Sequence, residues 1–315
     1  MTSTTLELLQ KYSVAGPRYT SYPTAPYFHT GYREADWLDA LAAMQPERGI
    51  SLYAHIPFCD SLCYYCGCNM VATRDYSKTV PYLAALEREM AATAARVDSG
   101  RIVRQLHLGG GTPTYLHPDD IRALMGRMRG HFNIAPDAEI SCEVDPRELT
   151  REHLVALREN GFNRVSFGVQ DMDPKVQEAV NRIQSEFLIR QVVDWARELG
   201  FSSVNLDLIV GLPRQTLESF RGTLDRVVAW SPDRLAVFAY AHVPWIKKHQ
   251  RLIQESELPD FATRLALQQA VNETLGGAGY VNIGLDHYAR PEDELVRAQQ
   301  NKTLWRNFQG YTTHK

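Results

Sequence analysis

The chain reads as an α/β protein built on a parallel sheet, a TIM-type barrel or an open part of one. Short apolar or β-branched runs recur at 51–57, 103–108, 138–144, 164–169, 204–210 and 234–239. They are mostly apolar on both faces, as strands covered by helices on each side are. The stretches between them carry helical periodicity, which gives the rhythm of βα units. Chemically unusual residues gather at the ends of the runs, where parallel α/β folds place their chemistry.

Taken in order, the first run leads into the segment CDSLCYYCGC. Leu83, Leu86, Met90, Ala94 and Val97 then fall at spacings of three and four, the mark of one buried helical face. The second run ends in Gly109-Gly110-Gly111-Thr112-Pro113, and Ile121, Leu124, Met125 and Met128 mark the next helix. The third run ends at Glu143 and Asp145, with Thr150 standing as an N-cap and Gly161 after the last helical residue. The fourth ends at Gln170, and Ser185 and Gly200 bound the following helix in the same way. Asp207 sits within the fifth, so five successive strands turn polar groups toward one mouth.

A chain of 315 residues with 44% hydrophobic content is long enough for a large core. A net charge of −3, without a block of like charge, offers no basic field for nucleic acid and points to a small-molecule substrate. The N-terminal MTSTTLELLQKYSVAGPRY has neither a leader pattern nor a membrane-length apolar window, which predicts a cytoplasmic protein with no membrane partner. In that reducing compartment, five cysteines with four of them clustered argue for metal over disulfides.

The cluster is Cys59, Cys63, Cys66 and Cys68, four thiols within ten residues. Three thiolates on one loop can hold three irons of a [4Fe–4S] cube and leave the fourth iron open to a small molecule. A structural zinc site usually draws its ligands from two separated pairs, which this spacing does not supply. Taken alone, the other features have plainer readings. Cys142 reads as a small buried hydrophobe, and three glycines in a row as a turn. Glu143 and Asp207 fit partners of a buried cation as well as cofactor ligands, and Arg182 fits a solvated helix end. His55 and His287 read as hydrogen-bonded packing residues. Lys247, Lys248 and His249 read as a solvated loop rather than as partners of substrate carboxylates.

CDSLCYYCGC, with Tyr65 just before the third cysteine of a C-x3-C-x2-C spacing, resembles the signature of radical S-adenosylmethionine (SAM) enzymes. More narrowly, SLYAHIPFCDSLCYYCGCN, LHLGGGTPTYL, SCEVDPREL, GFNRVSFGVQDMD, VNLDLIVGLPRQT, FAYAHVPW and RNFQGYTT resemble the oxygen-independent coproporphyrinogen III oxidase family. The likeness runs from RYTSYPTAPYF near residue 18 to the last residues.

The resemblance implies a partial TIM-type barrel of the radical SAM kind at 49–315, with residues 1–48 as an N-terminal segment packed on it. It implies a [4Fe–4S] cluster on Cys59, Cys63 and Cys66, two SAM molecules, and a one-electron cleavage of SAM to methionine and a 5′-deoxyadenosyl radical. Coproporphyrinogen III is the implied substrate, two of its propionates becoming vinyl groups by loss of carbon dioxide in heme synthesis, to give protoporphyrinogen IX. A donor such as flavodoxin or ferredoxin and a monomeric state complete the expectation. Tyr53, Tyr65, Gly110, Gly111, Thr112, Glu143, Gln170, Arg182 and Asp207 match positions that contact SAM, Ala241 matches the approach to a second SAM, and Phe308 and Gln309 match a block near the active site. Cys68 matches a fourth, non-ligand cysteine that separates this family from related heme chaperones. Family members continue past RNFQGYTT into a helical C-terminal domain, so the chain is expected to be a truncated copy, with a heme chaperone-like relative on the radical SAM scaffold or an inactive fragment as the alternatives.

Overall fold

The computed structural model describes residues 3–12, 24, 27–44, 49–98, 100–307 and 310–313. Two helices, α1 (Ser3–Tyr12) and α2 (Glu34–Ala42), precede the sheet. The core domain then runs β1 (Ile50–Ile56), β2 (Phe58–Cys59), β3 (Val71–Ala72), α3 (Thr79–Ala94), β4 (Ile102–Gly110), α4 (Pro118–His131), β5 (Asn133–Val144), α5 (Arg151–Glu159) and β6 (Arg164–Gln170). It continues through α6 (Pro174–Ala179), α7 (Glu186–Glu198), β7 (Ser203–Val210), α8 (Leu217–Trp230), β8 (Arg234–Ala239) and α9 (Phe261–Gly277). The last elements are β9 (Val281–Gly284), β10 (His287–Ala289), α10 (Glu294–Gln300), β11 (Trp305–Asn307) and β12 (Gly310–Thr312).

Six strands pair in parallel in the order β1-β4-β5-β6-β7-β8, and β10 and β9 extend the sheet antiparallel beyond β8. With β1 and β9 at its two edges, this sheet is the expected partial barrel. The local rules hold where the sequence stated them. Ser185 Oγ accepts from Leu188 N at 3.1 Å, Thr150 closes a capping box with His153, and Gly161 and Gly200 adopt φ of 82° and 77°. Pro118 opens α4, with Asp119 and Asp120 in its first turn and Arg129 and His131 in its last, complementing the helix dipole at both ends.

The core lies between the sheet and its helices, with Phe162, Phe167, Phe220, Leu106, Leu154 and Ile189 wholly buried. Ile121, Leu124, Met125 and Met128 are buried as a face, whereas of the residues expected on the face of α3 only Met90 is buried; Leu83, Leu86, Ala94 and, past the helix end, Val97 are partly buried against the core. Cys142 is fully buried on β5, as its apolar surroundings imply. Of residues 1–48, positions 1–2, 13–23, 25–26 and 45–48 lie outside the described residues; among those described, α2 has no buried residue, Thr24 is buried and the Met44 carbonyl accepts from Arg101.

The amino ends of the strands form a closed ionic floor. Arg234 donates to both oxygens of Asp293 at 2.8 and 2.9 Å, and Arg164 lies between Glu139 and Glu294. The hairpin of β11 and β12 docks there through Asn307 Nδ2, which donates to Gln105 Oε1 at 3.0 Å. Phe308 and Gln309, between these strands, lie outside the described residues.

Candidate functional site

The cysteine segment leaves β1 at Pro57 and is held by backbone on every side. Gly111 N and Thr112 N donate to Ile56 O and Phe58 O, at 2.8 and 2.9 Å, and so carry the β4 pairing past its end. Val71 N and Thr73 N close the far side onto Pro57 O and Cys59 O, through the short β2–β3 pair that the sequence pattern did not reveal. Tyr64 N reaches Val180 O at 3.0 Å, and Asn181 Nδ2 donates to Leu62 O at 2.8 Å.

One segment after β8 holds the rest. Gln250 Nε2 donates to Tyr65 O at 2.9 Å, His249 Nε2 pairs with Cys66 O at 2.7 Å, and Lys247 Nζ donates to Cys68 O at 2.8 Å. The sequence reading of Lys247, Lys248 and His249 as a solvated loop is therefore corrected: two of the three grip the cysteine loop, because its turning backbone leaves carbonyls that require donors. Gln250 is 1% exposed and had no signal in the sequence beyond being polar.

A cavity of about 530 Å³ opens at the carboxyl ends of the strands, within the range of small-molecule sites. Cys59, Cys63, Cys66 and Cys68 line it together with Tyr65, Gly110, Gly111, Glu143, Gln170, Arg182, Asp207 and Ala241. Tyr53 and Thr112, expected beside them, stand behind the wall. Thr112 Oγ1 accepts from Asp145 N at 3.0 Å, and the Tyr53 hydroxyl pairs with His55 Nδ1 at 2.9 Å. His55 Nε2 in turn meets Asn69 O at 2.7 Å, which ties β1 to the end of the cysteine loop. His287 packs between Phe238 and Tyr311 as a structural residue.

Three carboxylates line the cavity, Glu143, Asp145 and Asp207; Asp145 is paired with Arg147 and Arg182, and the other two differ in charge preference. Burial alone would push Glu143 up, but His107 Nε2 at 3.4 Å and Gly110 N at 3.2 Å hold it below the ordinary range. Asp207 is pushed up to about 7 by burial and by the charge of Glu143, against the hydrogen bonds it accepts from Ser166 and Asn205. His107, Ser166 and Asn205 are supports that sequence reading missed; each lies at an alternating position on a strand, where nothing marks a polar residue as inward. Gln170 adopts φ of 65°, unusual for a non-glycine, and Arg182 Nη2 donates to Gly168 O at 2.6 Å beside it.

The thiols are poised unequally. Burial, and then the charges of Cys66, Asp145 and Cys63, push Cys59 up to about 12. The neighbouring Cys68 thiol, with His249 and Lys247 behind it, lowers Cys66 against the opposing effect of burial. Among the described residues, no three His, Cys, Asp or Glu side chains form a group suited to one metal ion. A cubane spreads its thiolates over separate corners and does not need such a group.

Two observations test the fit of the implied groups. A Cβ on Gly111 would meet Cys59 Sγ at 2.9 Å and Phe58 O at 2.6 Å, so glycine keeps the thiol's surroundings open. Arg182, 6% exposed, has an Nε without a partner among the described residues, a donor that suits the carboxylate of an amino-acid ligand. Glu143 and Asp207 supply acceptors for hydroxyls. The residues fit an iron–sulfur cluster beside SAM.

Residues 53–227 match the Radical SAM superfamily. Over 311 residues the chain is 50% identical to the oxygen-independent coproporphyrinogen III oxidase of Pseudomonas aeruginosa, covering 98% of this chain and 68% of that protein. It is 53% identical over 308 residues to the enzyme so named from Escherichia coli, covering 98% of this chain and 67% of that one. The chain belongs to the oxygen-independent coproporphyrinogen III oxidase family of the radical SAM superfamily. Among solved structures, coproporphyrinogen III oxidase (HemN) from Escherichia coli superposes with a TM-score of 0.92 at 51% identity, covering 98% of this chain and 69% of that chain. The chain thus spans about two thirds of the length of these family members. Streptococcus suis SuiB bound to its precursor peptide, 14% identical with a TM-score of 0.51 over 82% of this chain and 52% of that one, shares the fold alone.

Proposed function

We propose that the chain carries out the oxygen-independent oxidative decarboxylation of two coproporphyrinogen III propionates to vinyl groups, giving protoporphyrinogen IX in heme synthesis. The observation that carries this reading is the convergence of Cys59, Cys63 and Cys66 with Glu143, Arg182 and Asp207 on one cavity, in a chain of this family. When bound, the cluster and SAM supply a single electron and a carbon-centred radical able to take hydrogen from the substrate.

Cys59, Cys63 and Cys66 hold the cluster, and Cys68 remains outside the ligand set, lining the same cavity. Gly110 and Gly111 let the backbone approach the methionine end of SAM, Arg182 pairs its free Nε with the carboxylate, and Glu143 and Asp207 accept hydroxyl hydrogens. Tyr65 and Gln170 complete the wall. Tyr53 and Thr112 act from behind, Tyr53 through His55 and Thr112 by fixing Asp145. A second SAM sits beside Ala241 at the rim, where Gln250 Nε2 fixes the Ala241 carbonyl at 3.2 Å. An electron carrier such as flavodoxin or ferredoxin reduces a monomeric, cytoplasmic protein. Among the described residues no helix is long and apolar enough to cross a membrane.

Anaerobic reconstitution with iron and sulfide, followed by SAM, a reductant and coproporphyrinogen III, tests the reading by mass spectrometry. Release of 5′-deoxyadenosine and methionine reports the cofactor site, and the divinyl product reports the substrate, so binding and turnover are read separately. Recovery of a single divalent ion on all four clustered cysteines, with no SAM cleavage, would overturn it.

A further inference from the structure

Cys63 differs from the other two proposed ligands in its surroundings. It is 7% exposed, and two guanidinium groups point at its sulfur: Arg147 Nη2 donates to Sγ at 3.3 Å and Arg182 Nη1 at 3.4 Å. Among the described residues, no guanidinium donates to the sulfur of Cys59 or Cys66. The same two arginines share one carboxylate oxygen, Asp145 Oδ2, at 2.6 and 2.9 Å.

The unit is built to be stiff. Asp145 directly follows β5 and caps the turn Pro146–Glu148 by accepting from Arg147 N at 3.1 Å. Arg147 Nε bonds both oxygens of that carboxylate, at 3.0 and 3.2 Å. Arg147 Nη1 goes to Asn181 O at 3.4 Å, so every nitrogen of its guanidinium is committed to the protein. Arg182, by contrast, keeps an Nε for the cavity.

We propose that Arg147, seconded by Arg182, raises the reduction potential of the cluster through Cys63, and that Asp145 limits the rise. This rests on the reading of Cys63 as an iron ligand. Reduction adds one negative charge to the cluster. N–H donors on a ligand sulfur and a positive charge behind it favour the reduced form, whereas a nearby carboxylate opposes it. Two guanidiniums against one carboxylate leave one net positive charge beside a single corner. Arg147 is therefore a positioning residue that acts through a ligand and not on the substrate.

The test is a potentiometric titration followed by electron paramagnetic resonance on the reconstituted full chain without SAM, with iron and sulfide counted in each sample. Arg147→Gln should move the midpoint to more negative potential, and Asp145→Asn should move it to more positive potential. Arg147→Lys, which keeps charge but loses the fork, should fall between wild type and Arg147→Gln, and it serves if the glutamine variant does not load. Opposite signs from two neighbouring residues are not produced by loosened packing. Fully loaded variants that share the wild-type midpoint, or that shift in the same direction, would overturn the proposal. A wild-type chain without a reducible cluster would instead defeat the assignment of Cys63 as a ligand.

Discussion

The two ends of the sheet use the same residue types for opposite purposes. At the amino ends, Arg234 meets both oxygens of Asp293, and Arg164 is held between Glu139 and Glu294. At the carboxyl ends, Arg182 keeps an Nε without a partner among the described residues, and Asp207 is pushed up by burial and then by the charge of Glu143. The carboxylates of the floor each face a guanidinium, which stabilises the barrel even though Arg164 Nη1 lacks a partner among the described residues, whereas at the mouth Asp207 faces Glu143. A second cavity of about 190 Å³ joins the two, sharing Glu143, Ser166, Asp207 and Phe238 with the first.

The largest effect should come from breaking the floor. Asp293→Ala strands Arg234, 13% exposed, with Glu294 at 3.3 Å as its remaining acid, and also removes the N-cap that accepts from Leu295 N at 2.8 Å. We expect a loss of about 3–4 kcal/mol in urea unfolding, with iron loading per folded chain unchanged. A change in the cluster's spectrum would mean that the two ends are not separable.

Gly111→Ala attacks the mouth instead. The new methyl must displace Phe58 O, a backbone atom that already accepts from Thr112 N, and press on Cys59 Sγ. A cost of about 2–3 kcal/mol is expected. Unlike the floor variant, this one should also lose reconstituted iron, measured as iron per chain.

The parallel half of the molecule was legible because its strands are apolar on both faces and its helix ends carry caps with a single physical reading. Thr150 and Ser185 stand at the N-caps, and Gly161 and Gly200 directly follow the C-caps. That Cys59, Cys63 and Cys66 come together on one loop was legible because their spacing is local. The antiparallel pair β9–β10 was not, being three or four residues long and set by contacts with β8. Gln250 and Arg147 were equally opaque. Their partners, Tyr65 O and Cys63 Sγ, lie 185 and 84 residues away, and a backbone carbonyl has no sequence signature.

Asp207→Asn sharpens the comparison through pH. With its folded value near 7 and its ordinary value at 3.8, wild-type Asp207 favours folding when protonated, and that contribution is lost as pH rises between these values. Asparagine does not titrate, so the variant should gain on wild type across that window. The gap should reach about 2 kcal/mol by about pH 8, less than the full shift implies because cavity water screens the charge. Urea midpoints of the metal-free chain at about pH 5 and 8 check this. A gap that is constant with pH would place Asp207 among the matched charges of the floor.

The smallest effect tests whether the mouth is preorganised by its own supports. Gln250 Oε1 accepts from Val243 N at 2.6 Å while its Nε2 serves Tyr65 O and Ala241 O, so one amide joins the cysteine loop to the segment after β8. Gln250→Leu keeps the volume but leaves these buried backbone groups without partners, at a cost of about 1–2 kcal/mol. Lys247 and His249 still hold Cys68 O and Cys66 O, so the loop should stay folded yet open more often. Faster loss of iron to a chelator, at unchanged initial loading, is the expected reading. An unchanged rate would mean that the backbone bonds to Ile56, Phe58 and Val180 suffice to hold the cysteine loop.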